Sequence, residues 1–226
     1  AEDLGLDWRE AYIAHLDDLG VRRLRLPAYW DLIEAEEGKY DFSDLDWQLD
    51  EAAKRNARVI LTVGQRVPRW PECHIPEWAK ADENKRQRKL LQMIRTTVER
   101  YEGRPVIASW QVENEPFLSR FGICPSLEVS FLESEIALVK ELDPARPVIV
   151  TDSGELSLWV HAAARGDIFG TTLYRHIWKY PLGYVTYPIG PYFFKTKELL
   201  VKLLTDQENF MVIELQAEPW ANGWVG

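Results

Sequence analysis

Two short apolar runs in this chain each end in a carboxylate. Ile107-Ala-Ser-Trp-Gln-Val leads into Glu113-Asn114-Glu115-Pro116, and Phe210-Met-Val-Ile213 leads into Glu214. Both runs are β-capable. Pro116 cannot donate to a sheet ladder, so the first strand must stop at the Asn-Glu pair. Two glutamates delivered to one rim of a sheet suit cleavage of a glycosidic bond. One carboxylic acid protonates the leaving oxygen and one carboxylate attacks the anomeric carbon, the two carboxyl groups standing ~5–5.5 Å apart.

The two acids need different surroundings, or both would take the same protonation state. Arg25 lies in Val21-Arg-Arg-Leu-Arg25-Leu26, where alternation turns it toward the interior, and an unpaired charge there is costly. Beside Glu214 it would keep that group a carboxylate, and a Tyr174 hydroxyl would orient it. Glu115, in apolar and aromatic surroundings and facing another carboxylate, would hold its proton. Asn114 would donate to a sugar 2-hydroxyl. Glu113 shares strand parity with Glu115 and is assigned a supporting place below the rim, and Glu218 a loop. Gln65 and Trp70 follow one strand end, and His176 and Trp178 another. Trp70 and Trp178 are the best placed for stacking on sugar faces. Asp152 and Glu155 either bind sugar hydroxyls or cap the segment they begin.

The elements that would carry these residues alternate. Helices are predicted over 7–19 (stopped by Gly20), 44–55 (capped by Ser43), around 76, and over 83–101, 126–142, 157–165 and 194–204. Strands are predicted over 21–26, 59–63, 107–115, 147–151, 168–174 and 210–214, with a long aromatic loop from about 174 to 192. Regular βα alternation implies a parallel sheet with helices outside it. No Gly-x-Gly-x-x-Gly follows a strand and no phosphate loop occurs, which argues against a nucleotide-binding doubly wound sheet. Polar and aromatic residues cluster after strand ends, as in a (β/α)₈ barrel. The reading is therefore a TIM barrel with six of eight strands recognisable and the first and eighth absent, forming one catalytic domain over 1–226.

Composition narrows the partners. A net charge of −9 over 226 residues argues against nucleic acid or an anionic membrane surface as partner, since both need a basic patch. No apolar run reaches the ~18 residues of a membrane span. Its ten tryptophans fall mostly beside loops. Cys73 and Cys124 are either a disulfide or two thiols, and Cys73-His74 is too little for a metal site. The expected partner is a carbohydrate, with neither cofactor nor metal.

Trp110-Gln-Val-Glu-Asn114-Glu115-Pro116 resembles the fourth-strand signature of the clan A glycoside hydrolases, the superfamily of cellulases, β-galactosidases and β-xylosidases. The resemblance spans essentially the whole chain. It implies a retaining mechanism with Glu115 as acid/base and Glu214, on the seventh strand, as nucleophile. It also matches Arg25 and Tyr174 to the arginine and tyrosine that commonly support that nucleophile. The surroundings Ile213-Glu214-Leu215 depart from the Thr-Glu-Gly often found there. Two other readings stand beside it: a non-hydrolytic carbohydrate-binding barrel, and a barrel whose carboxylates hold a divalent metal.

Overall fold

The computed structural model describes residues 5–118, 122–179 and 183–215, with the backbone alone at 177–179 and 184. The chain divides into two compact units, one of residues 1–114 and 122–148, the other of residues 115–121 and 149–226.

The first unit opens with helix α1 (Trp8–Asp17), whose first N–H groups are accepted by Asp7 at the N-cap. Gly20, at φ 65°, turns the chain out of it. Strand β1 (Arg23–Pro27) follows, then a short α2 (Trp30–Ile33), α3 (Ser43–Lys54), β2 (Arg58–Val63), a 3₁₀ turn over Glu77–Ala79, α4 (Glu83–Tyr101), β3 (Ile107–Val112) and α5 (Val129–Leu142). β1 pairs with β2, and β2 with β3, all parallel. β2 and β3 are buried on both faces along most of their length, as central parallel strands are. Val59, Leu61, Ile107 and Trp110 on the strands and Leu49, Leu90, Ile94 and Val98 on the helices form this core. Trp110 satisfies its indole N–H on Asp143 Oδ2 at 2.9 Å. A disulfide joins Cys73 to Cys124 across 51 residues of sequence, tying the segment after β2 to the segment after β3. Beside it, Ile123 N–H donates to Pro71 O at 3.0 Å.

The second unit holds β4 (Val148–Asp152), α6 (Val160–Ala163), β5 (Ile168–Leu173), β6 (His176–Lys179), β7 (Gly183–Thr186), α7 (Pro191–Leu204) and β8 (Phe210–Leu215). β4 pairs with β5, and β5 with β8, again in parallel. Gly170 lets β5 pack closely, since a Cβ there would lie 2.9 Å from Thr151 Cγ2.

Several boundaries differ from the sequence reading. Ser43 is the first residue of α3 and not its cap, because the Asp41 carboxylate already accepts the Ser43 N–H at 2.9 Å. The helix expected over 157–165 shrinks to four residues, since Trp159 takes a left-handed φ of 71° at its entry. The expected aromatic loop contains the β6–β7 hairpin, paired antiparallel from His176↔Thr186 to Lys179↔Gly183. Its dense aromatic and proline content hid the strand periodicity. α7 begins at Pro191 instead of 194, where a proline's fixed φ and missing N–H suit a first helical turn.

Candidate active site

Where β3 ends, the backbone turns sharply: Glu113 and Glu115 both take positive φ, 57° and 45°. Side chains other than glycine avoid this region at a cost on the order of 1–3 kcal/mol, and such strain clusters at functional positions. The turn is locked onto β2. Glu113 N–H donates to Val63 O at 2.9 Å and Asn114 N–H to Arg66 O at 2.7 Å. The Glu113 carboxylate folds back to accept the backbone N–H groups of Gln65 and Arg66 at 2.8 and 2.7 Å. Gly64 makes room for it, at φ 130° and with the site of a Cβ only 2.5 Å from Glu113 Oε1.

Glu113 meets Glu135 of α5, and both are fully buried. Neither Glu135 oxygen receives a hydrogen bond from a conventional donor among the described residues. An arrangement of this kind is relieved when the two carboxyls share one proton. Burial pushes Glu113 up to about 7, and burial followed by the neighbouring Glu113 charge pushes Glu135 well above the usual carboxylate range.

Asn114 is gripped at both ends of its amide. Arg25 Nη2 donates to Asn114 Oδ1 at 2.7 Å, and Asn114 Nδ2 donates to Glu72 Oε2 at 3.1 Å. These contacts fix which end of the amide is oxygen. Arg25 Nε also donates to Gln111 Oε1 at 2.7 Å, and Gln111 Nε2 to Glu113 O at 2.8 Å. The arginine thus orients the asparagine beside Glu115. Glu72 and Gln111 had no place in the sequence reading.

In the second unit, two threonines hold Glu115. Its N–H donates to Thr151 Oγ1 at 2.9 Å, and the Thr172 hydroxyl donates to Glu115 Oε1 at 3.3 Å. Glu115 is only 8% exposed. Glu214 is reached through the sheet. The β5–β8 register runs Thr171↔Val212 and then Thr172↔Glu214, so Ile213 is bulged out of the ladder. A bulge re-aims the residue after it, and here it sets Glu214 opposite Thr172. Tyr174, two residues beyond Thr172, donates its hydroxyl to Glu214 Oε2 at 2.8 Å. Thr151 and Thr172 escaped the sequence reading. Their one signal is strand parity, since Thr172 shares a face with Tyr174.

Behind these residues lie Asp152, Glu155 and Lys197. Asp152 accepts the Ser153 N–H at 2.9 Å, and burial pushes its carboxyl up. Burial raises Glu155 too, with the Glu214 charge adding to the effect. Burial lowers Lys197 to about 8, against the pull of both acids.

The remaining candidates are less tightly gathered. Gln65 is buried, and it is its backbone that meets Glu113. Trp70 is 66% exposed. His176 sits in the hairpin with Nδ1 2.8 Å from the Thr186 hydroxyl. The Trp178 backbone is in β6, but its side chain lies outside the described residues, as does Glu218. Among the described residues, no group of three or more His, Cys, Asp or Glu side chains is placed to hold a metal ion, and no helix is long and apolar enough to cross a membrane.

Six parallel strands interleaved with helices, with carboxylates at the strand ends, have the fold of a partial (β/α)₈ barrel. The family model for family 42 glycoside hydrolases, described as beta-galactosidase, matches residues 7–134, more than half of the chain. The chain belongs to that family. It is similar to beta-galactosidase BbgII of Bifidobacterium bifidum, 33% identical over 104 residues that cover 38% of this chain and 15% of the relative. Its fold resembles the beta-galactosidase of the psychrophilic Marinomonas ef1, with TM-score 0.56, 15% identity, and coverage of 74% of this chain and 38% of that one. It also resembles GH5_18 from Streptomyces cattleya, with TM-score 0.60, 17% identity, and coverage of 76% and 47%. The chain thus spans a small part of its curated relative and less than half of these structures.

Proposed function

We propose that this chain carries the catalytic residues of a retaining β-glycosidase acting on β-galactosides, with both compact units belonging to one catalytic domain. Glu214 is the nucleophile and Glu115 the acid/base. One observation supports this above all: Thr172 stands opposite Glu214 in the sheet while its hydroxyl donates to Glu115. Two acids from distant parts of the sequence thus share a single neighbour.

In the first step, the Glu214 carboxylate attacks the anomeric carbon and Glu115 gives its proton to the departing glycosidic oxygen. In the second, Glu115 takes a proton from water, which displaces Glu214 and restores the starting state. The Tyr174 hydroxyl holds Glu214 Oε2 and orients the carboxylate for attack. Asn114, oriented by Arg25 and Glu72, donates to the sugar 2-hydroxyl, a contact that tightens as the ring flattens. Galactose specificity is taken from the family, and Trp70 and Trp178 are the proposed stacking surfaces.

The test is hydrolysis of an aryl β-galactoside by the full-length protein. Glu115→Gln and Glu214→Gln each lose at least about 10³-fold in kcat. Azide restores turnover in small-side-chain variants, giving β-galactosyl azide from Glu115→Ala and the α-azide from Glu214→Ala. Undiminished turnover in either Gln variant would dispose of the mechanism.

A further inference from the structure

One polar residue beside the proposed acid has a hydrogen-bonding direction set by its neighbours. Thr172 is 2% exposed, and its Oγ1 touches two groups: the Gly154 N–H at 3.0 Å and Glu115 Oε1 at 3.3 Å. A hydroxyl has one hydrogen to give. The Gly154 N–H can only donate, so the Thr172 hydrogen is left for the carboxyl of Glu115.

The surroundings hold that direction in place. A Cβ at Gly154 would lie 1.7 Å from Thr172 O, so only glycine brings its N–H this close to β5. The same residue is anchored on its other side, where Lys197 Nζ donates to Gly154 O at 2.5 Å. Lys197 is itself 8% exposed, and its ammonium lies over the rings of Phe193 and Trp159 at 4.6 and 5.1 Å. Trp159 in turn donates its indole N–H to Ser153 O at 2.9 Å. The Ser153–Gly154 segment is therefore fastened against β5 by a buried cation and a buried indole.

We propose that Thr172, aimed by the Gly154 N–H, is a positioning residue that makes Glu115 Oε1 a permanent acceptor and so assigns the catalytic proton to Oε2. This rests on the reading of Glu115 as acid/base. Oε2 is then the oxygen that releases the proton to the leaving group and recovers it from water. A rotation exchanging the two oxygens of the protonated group would turn its O–H toward the Thr172 hydrogen, donor against donor. The donated hydrogen bond also favours the ionised form that Glu115 must reach after the first step.

The experiment is titration of the Glu115 carboxyl in the full-length protein by ¹³C NMR, with Glu115→Gln assigning the signal. Charged groups near this segment (Asp152, Glu155, Lys197 and Glu214) are kept unchanged in every variant. Thr172→Val keeps the shape and loses the donor, and the Glu115 midpoint moves up by about 0.5–1 pH unit. Thr172→Ala takes its place should the valine variant not fold. Gly154→Ala, which pushes the N–H away, shifts the midpoint the same way, and Thr172→Ser restores it. A midpoint that stays put in the donor-less variant, or moves equally in Thr172→Ser, overturns the proposal. If that happens while Glu115→Gln is inactive, the positioning claim fails and the functional reading stands. A shifted midpoint with an active Glu115→Gln is the reverse case.

Discussion

Thr172 and Glu214 face each other across the β5–β8 ladder because Ile213 is left out of the pairing. Without that extra residue, Leu173 would oppose Glu214, and alternation along the strand would carry the carboxylate to the other side of the sheet. The same side receives the Tyr174 hydroxyl.

Tyr174→Phe removes one donor from the proposed nucleophile and leaves its packing. A hydrogen bond to a charged group is worth about 1.5–3 kcal/mol, so kcat/KM falls roughly 10- to 100-fold. The loss appears mainly in kcat if the contact matters while Glu214 is attacking or leaving. Steady-state kinetics on an aryl galactoside measures it, and a change confined to KM would assign the tyrosine to ground-state binding instead.

The Glu113–Glu135 pair makes stability depend on pH. Glu113 has its ordinary value of 4.5 in the unfolded chain and is raised to about 7 in the fold, so between these values the native state holds more protons. Stability from this source is full below the unfolded value and is lost as pH rises through about 7. The decline is on the order of 3 kcal/mol, from ~1.4 kcal/mol per unit of displacement. Glu135→Gln supplies an amide donor in place of the shared proton and flattens the slope. Denaturant unfolding at a series of pH values reads both, and a wild-type curve that rises across this window would contradict the shared proton.

The Cys73–Cys124 bridge closes a loop of 51 residues. Chain-entropy arguments give about 4 kcal/mol for a loop of that length. The double replacement Cys73→Ser, Cys124→Ser should therefore lower unfolding free energy by up to that amount under non-reducing conditions. Equal stability in the two proteins would mean the bridge constrains nothing in the unfolded chain.

Much of this was legible before any coordinates. The Asn-Glu-Pro ending of β3 and the Glu at the end of β8 announced themselves through apolar runs that stop at acids, and Tyr174 through its place beyond a strand. The bulge at Ile213 was not legible, because a skipped residue leaves the local pattern of β-branched and apolar types intact. Nor were Glu72 and Gln111 legible as neighbours of Asn114 and Arg25, since alternation says which face a side chain takes and not which polar groups it meets. Glu135 read as one more acid on an amphipathic helix. Only the packing of α5 on β3 reveals it as a fully buried partner for Glu113.

The left-handed backbone at Glu113 and Glu115 has a consequence for robustness. Glycine would sit at Glu115 without backbone strain, whereas at Glu113 it would forfeit the carboxylate that accepts the Gln65 and Arg66 N–H groups. Keeping a glutamate at position 115 therefore costs the scaffold stability, and selection for heat resistance alone would tend to erase a residue on which catalysis is proposed to depend.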